Sequence, residues 1–136
     1  MAAGFTAVVF LAWRFVQREP TDEEKLVAIL EEMRVAATER DLTPILEHIA
    51  DDYQDASGMG RKELRAYLLG YFLGAQSISA TFISRRVEVQ GAAATAELRV
   101  LLRRDGAADT RRIALRFGRT GDDWKIQSSH HEPLVP

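Results

Sequence analysis

The stretch from Ala92 to His131, AAATAELRVLLRRDGAADTRRIALRFGRTGDDWKIQSSHH, decides the fold through the period of its side chains. Ala92, Ala94, Ala96, Leu98, Val100 and Leu102 alternate with mostly polar neighbours, as a half-buried strand requires. After Arg104 the turn-prone pair Asp105-Gly106 leads into a second run, where Ile113, Leu115 and Phe117 share one face and Arg112 and Arg116 the other. That pattern predicts an antiparallel hairpin. Gly118 to Asp123 turns the chain again. In the run that follows, Trp124, Ile126, Ser128 and His130 share one parity, and Lys125, Gln127, Ser129 and His131 the other. A regular strand therefore turns Ser128 and His130 inward and His131 outward.

Working outward, Ser77 to Gln90 reads as a further strand whose parity changes. Ile78, Ala80 and Phe82 fall on even positions, but Ile83, Val87 and Val89 on odd ones. One flat strand cannot bury both sets. A bulge between Phe82 and Arg86 resolves the conflict and lets the sheet curl. Upstream, Thr21-Asp22-Glu23-Glu24 has capping-box spacing, and Leu26, Ile29, Leu30, Met33 and Ala37 form one helical stripe ending near Arg40. Thr43-Pro44 marks a second helix start, with Ile45, Leu46, Ile49 and Tyr53 on its buried side. Gly58 and Gly60 break that helix. A third follows from Arg61 to Leu73, burying Leu64, Leu68, Tyr71 and Phe72, with Gly74 as its carboxyl-terminal cap. The expected fold class is α+β: three amino-terminal helices packed in a strongly curved antiparallel sheet of about four strands.

The 136 residues suit one domain over residues 20–136, preceded by an apolar segment and short linker over residues 1–19. Ala2 to Trp13 is apolar except for Gly4 and Thr6, which is short for a membrane span of ~20 residues. It lacks the basic start and cleavage pattern of a signal peptide. Residues 2–16 therefore read as an uncleaved membrane tether, with an extra packed helix or a disordered tail as the plainer alternative. The corresponding locations are membrane-associated through that segment, or cytoplasmic.

A net charge of -2 argues against a generally basic nucleic-acid binder, but the charge is segregated. Thr21 to Asp55 holds 11 acids against 3 bases, while Ala80 to Arg119 holds 9 bases against 4 acids. Arg99, Arg103, Arg112, Arg116 and Lys125 share the outward parity, with Glu97 and Asp109 as counterions. That face is either solvated or turned to an anionic partner. No nucleic-acid partner is expected, because the face has no stacking aromatics. Without cysteine there is no disulfide, thiol nucleophile or zinc-thiolate site. His130-His131-Glu132 does not make a metal site on a strand whose neighbours point to opposite faces, and His48 reads as a surface residue. No metal and no cofactor are expected.

The order of elements, the Asp51-Asp52-Tyr53 segment and the closing Trp124-Lys125-Ile126-Gln127-Ser128-Ser129-His130-His131 strand resemble the nuclear transport factor 2-like superfamily. That is the cone-shaped fold of SnoaL-like and ketosteroid isomerase-like proteins, and the resemblance covers residues 21–132. It implies a pocket between sheet and helices, and a homodimer through the sheet. It does not imply an activity, because the fold hosts isomerases, cyclases, dehydratases and noncatalytic binders. In such a pocket the ligand-binding candidates are Tyr53, Tyr67, Tyr71, Phe117, Trp124, Ser128 and His130. A dehydratase or cyclase would use His130 as general base, oriented by Asp52 or Asp55, with Tyr53 or Tyr67 binding a carbonyl. A steroid isomerase-like mechanism fits poorly, since no acid occupies an inward strand position. The sequence thus reads as a domain that binds a small apolar ligand or a protein partner. The alternative is a lyase or isomerase acting on a small apolar organic substrate.

Overall fold

The structure, a computed structural model, describes residues 19–133. Residues 1–18 lie outside it, and with them the expected membrane tether. No helix among the described residues is long and apolar enough to cross a membrane.

Three helices precede four strands: α1 (Asp22–Thr38), α2 (Leu42–Glu47), α3 (Arg61–Leu73), then β1 (Ile78–Gln90), β2 (Ala93–Arg104), β3 (Ala107–Thr120) and β4 (Asp123–Pro133). The strands form one antiparallel sheet in the order β1-β2-β3-β4. Asp105 and Gly106 both have positive φ, 53° and 87°, as the mirror-image hairpin turn between β2 and β3 demands. Asp105 also accepts hydrogen bonds from the amides of Gln76 and Ser77, at 2.8 and 2.9 Å. One carboxylate thus pins this turn to the chain that leaves α3.

Helix α1 packs on the sheet chiefly over β1. Its Leu26 and Leu30 join Ala94, Ala96, Leu98, Val100, Phe117, Trp124 and Ile126 in one buried cluster. A second cluster of Ala36, Ile45, Phe72, Ala75 and Ile78 closes the other end of the helices. Thr21 caps α1 by accepting from the Glu24 amide at 3.2 Å. Asp22 then ties the helix start to the sheet, receiving Trp124 Nε1 at 3.1 Å and Arg119 Nη1 at 2.9 Å.

Helix α2 is shorter than its apolar pattern suggests. Asp41, not Thr43, caps it, accepting from the Thr43 amide at 3.2 Å. It ends at Glu47, so Ile49 and Tyr53 lie beyond it. The backbone from His48 to Ala56 bonds to β4 instead: Ile126 N to His48 O at 2.7 Å, Ala50 N to Ile126 O at 2.9 Å, Gln54 N to Gln127 O at 3.0 Å and Ala56 N to Ser129 O at 3.2 Å. Pairing with a strand satisfies these groups as well as a helix would, and it carries Ile49 and Tyr53 inward. His48 is not a plain surface residue either, since its Nε2 meets Glu32 Oε2 at 3.0 Å with the side chain 16% exposed.

Gly74 does cap α3, but with a right-handed φ of -80°. Its lack of a side chain serves packing: a Cβ there would lie 2.7 Å from Arg104 Nη2. That guanidinium sits over the Tyr71 ring, 4.7 Å from its centroid.

Two bulges set the facing of the sheet. The first falls between Phe82 and Ser84, inside the expected interval. Beyond it Val87 and Val89 oppose Ala96 and Ala94, as expected, but Ile83 is left exposed and Arg85 takes the position opposite Leu98. The second bulge is not signalled by parity. Phe117 pairs with Ile126 but Arg116 with Ser128, so Gln127 is an extra residue on β4. Every side chain after it changes face.

Candidate functional site at the mouth of the cone

Followed along β3, the inner face passes from core to rim. Phe117 is fully buried, Leu115 and Ile113 are partly buried against the core, and Arg111 and Asp109 continue the same parity opposite Val100 and Leu102. The β4 partners of this row are Ile126, Ser129, His131 and Pro133. This less buried end is the mouth.

The Gln127 bulge reverses the expected histidine assignment. Ser129 and His131 oppose the inward Leu115 and Ile113, whereas Ser128 and His130 oppose Arg116 and Ala114 on the outer face. His130 Nε2 lies 3.8 Å from Glu132 Oε2, and Glu132 lies 3.7 Å from Arg112. His130 and Ser128 are therefore outer-face residues, turned away from any ligand within the cone.

Tyr53 is the one sequence-level candidate that reaches the mouth with its polar atom. The ring is 4% exposed and its hydroxyl lies 2.6 Å from Ser129 Oγ. Burial raises the pKa of the phenol, and the Ser129 hydrogen bond only partly opposes that rise. Asp55 stands nearby in a tight turn. Its Oδ1 accepts from Ser57 N, Ser57 Oγ and Met59 N at 2.9, 2.6 and 2.8 Å. These bonds, the Ser57 hydroxyl first, hold the carboxyl below the usual range, with a smaller contribution from a charged His131 and burial opposing. Arg111 Nε donates to Asp109 Oδ2 at 2.7 Å.

The other candidates are dispersed. Asp52 is exposed. Tyr67 is 56% exposed and stacks on Tyr71, with ring centroids 6.5 Å apart. Phe117 is core, and Trp124 is core with its indole N–H spent on Asp22. Lys125 leaves the outer cationic face to donate to the Glu47 carbonyl, and Asp109, expected there as a counterion, belongs to the inner row. Extending the odd parity of Ile113 and Leu115 two steps back would have found Arg111 and Asp109. Ser129 and His131 carried no such signal.

Two surface depressions lie elsewhere. One of about 630 Å³ runs along α1 beside Val27, Ala28, Glu31 and Arg85. Another of about 330 Å³ lies between Arg40, Leu42, Leu69 and Leu73. Among the described residues no three His, Asp or Glu side chains converge to hold a metal ion.

A cone of three helices and a curved four-stranded antiparallel meander is the nuclear transport factor 2-like fold, and the chain adopts it. Solved structures with the same fold agree in shape while differing in sequence. A nuclear transport factor 2-like protein of unknown function from Pseudomonas putida KT2440 superposes with a TM-score of 0.73 at 17% identity, covering 82% of this chain and 86% of that one. A Streptomyces avermitilis protein, provisionally named a dehydratase of the same family, gives 0.75 at 17% identity over 85% and 98% of the two chains. Bd1075 of Bdellovibrio bacteriovorus gives 0.75 at 14% identity over 82% of this chain, which spans 40% of that protein's length. No protein-family model matches the sequence, and no curated protein does.

Proposed function

We propose that the chain is a noncatalytic binding domain that takes a small apolar organic ligand at the mouth of its cone. The observation that carries this reading is the half-buried wall of Leu102, Ile113 and Leu115 beneath a polar rim of Tyr53, Ser129 and His131. Apolar walls with a few convergent polar groups are what small-molecule sites are made of. Tyr53 and Asp55 are poorly poised for proton transfer. The Tyr53 hydroxyl is engaged by Ser129 and its pKa is moved away from neutrality, while Asp55 Oδ1 is occupied by three donors of its own loop.

A lyase or isomerase is the second reading. His131 on the inner face with Asp55 nearby favours it, and the Streptomyces neighbour bears a dehydratase name. Ligand-observed NMR against a library of small aromatic and alicyclic compounds, with product analysis of every hit, separates the two. Binding without turnover, weakened by Ser129→Ala, supports the domain reading. Turnover that falls about 100-fold or more in His131→Ala supports the enzyme. A library whose hits are all indifferent to Ser129, Tyr53 and His131 rejects the mouth as the site.

A further inference from the structure

We infer that Arg111 makes the mouth selective for a carboxylate, so that the ligand class is a small organic acid with an apolar body. This rests on the binding reading above and adds the head group. Arg111 lies on the inner face, opposite Val100 on one side and Pro133 on the other, and its side chain is 35% exposed. It is one inner-face step from Ile113, whose β4 partner is His131. Asp109 engages Nε alone. No other acceptor among the described residues reaches the guanidinium, so Nη1 and Nη2 keep the paired donors that a carboxylate accepts in bidentate fashion.

Asp109 does two things in this arrangement. Its bond to Nε restricts rotation of the guanidinium, which lowers the entropy lost when a ligand is held. Its charge also offsets that of Arg111, so binding gains little from long-range attraction and depends on the geometry of the paired donors. His131, opposite Ile113, stands one inner-face step along from Arg111, and Ile113 and Leu115 receive the apolar body. The arginines of the outer face lack this combination. Arg99 and Arg112 stand directly opposite each other there, and Arg112 faces Glu132 at 3.7 Å.

The test uses benzoate and benzamide, which share one apolar body and differ in the charge of the head, titrated into the full chain by calorimetry or NMR. Benzoate is expected to bind about tenfold tighter or more. Arg111→Gln should bring benzoate down to the benzamide level while benzamide is unchanged, Arg111→Lys should keep part of the preference, and Arg99→Gln should leave it intact. Thermal melts of each variant separate a lost contact from a lost fold. Equal affinity for the two probes in the unaltered protein overturns the carboxylate assignment and leaves the binding site standing. A preference that survives Arg111→Gln, or that falls equally in Arg99→Gln, also overturns it. Failure of both probes at millimolar concentration rejects the assignment together with the ligand reading beneath it.

Discussion

Gly118 lies beneath the side-chain amide of Gln127, so close that a Cβ on Gly118 would stand 2.2 Å from Gln127 Nε2. The residue that makes the β4 bulge thus rests on the one strand position of β3 that has no side chain. Because Gln127 is exposed and flexible, Gly118→Ala should push the amide aside at a cost of about 1 kcal/mol or less. In a Gln127→Ala background the same substitution should become neutral or stabilising by roughly 0.5–1 kcal/mol, since glycine is a poor strand residue. Urea denaturation of the four proteins in the cycle measures this. A large loss at Gly118→Ala that persists without Gln127 would show a backbone clash instead.

Deleting Gln127 removes the extra residue and should make the β3–β4 pairing regular without moving the partners beyond it, because Ser128 would then follow Ile126 directly and still stand opposite Arg116. His131 should stay inward and His130 outward. Cross-strand NOEs report the pairing, with Ile113 and Leu115 facing His131 and Ser129 both before and after the deletion. NOEs from Ile113 to His130 in the deletion would mean that the strand had slipped by one residue and that Gln127 is not the unpaired position.

The Tyr53–Ser129 bond should be measurable in stability. Tyr53→Phe removes one partner and should cost ~0.5–1.5 kcal/mol, whereas Ser129→Ala strands a buried phenolic hydroxyl and should cost ~1–3 kcal/mol. The double variant should lose less than the sum. Full additivity would mean the two hydroxyls do not interact.

Leu98 and Leu115 share a parity but not a depth. Leu98 is 4% exposed in the core, so Leu98→Ala should cost ~2–5 kcal/mol. Leu115 is partly buried beneath the rim and its truncation should cost clearly less, with its larger effect on ligand binding. Equal thermal shifts in the two variants would contradict the gradient from core to mouth.

Three aspartates among the described residues are held below their ordinary range: Asp22 chiefly by the Trp124 indole, Asp55 chiefly by the Ser57 hydroxyl, and Asp105 chiefly by the Ser77 amide. A depressed folded-state pKa means that the unfolded chain takes up the proton first. The stabilisation is therefore complete above the unfolded value of ~3.9 and lost as pH falls through the lower folded value. The urea midpoint should be flat from about pH 7 to 5 and fall below about pH 4. Replacing Asp22 and Asp105 with asparagine should lower the midpoint at neutral pH and flatten the acid slope. An unchanged slope would assign the acid sensitivity to other groups.

The sheet was legible because Leu98, Val100, Ile113, Leu115 and Phe117 alternate without interruption, and the β1 bulge was legible because parity breaks there in the apolar residues themselves. The β4 bulge was not. Trp124 and Ile126 fix the parity before it, but Ser128 to Glu132 are all polar, so nothing in hydrophobicity marks the change of face. Helix α2 misled for a related reason: Ile49 and Tyr53 continue a helical spacing, yet the backbone bonds that win there run to β4, distant in sequence. Site residues inherit these errors. Tyr53 survived because burial alone marks an aromatic ring, while the inward histidine depended on a single inserted residue.

The segment from His48 to Ala56 also bears on what happens when many copies meet. An uncovered outer strand offers its amides and carbonyls to any extended chain, which is how sheets grow from one molecule into the next. On β4 the groups at Ile126, Gln127 and Ser129 are already spoken for by this segment's backbone. On the far side, β1 is kinked between Phe82 and Ser84 and carries Arg85 and Arg86 just beyond, two devices that discourage docking of another strand. The excursion that brings Tyr53 to Ser129 is therefore also a guard against intermolecular sheet growth. Substitutions that loosen it, such as proline at Ala50 or Gln54, would surface first as aggregation.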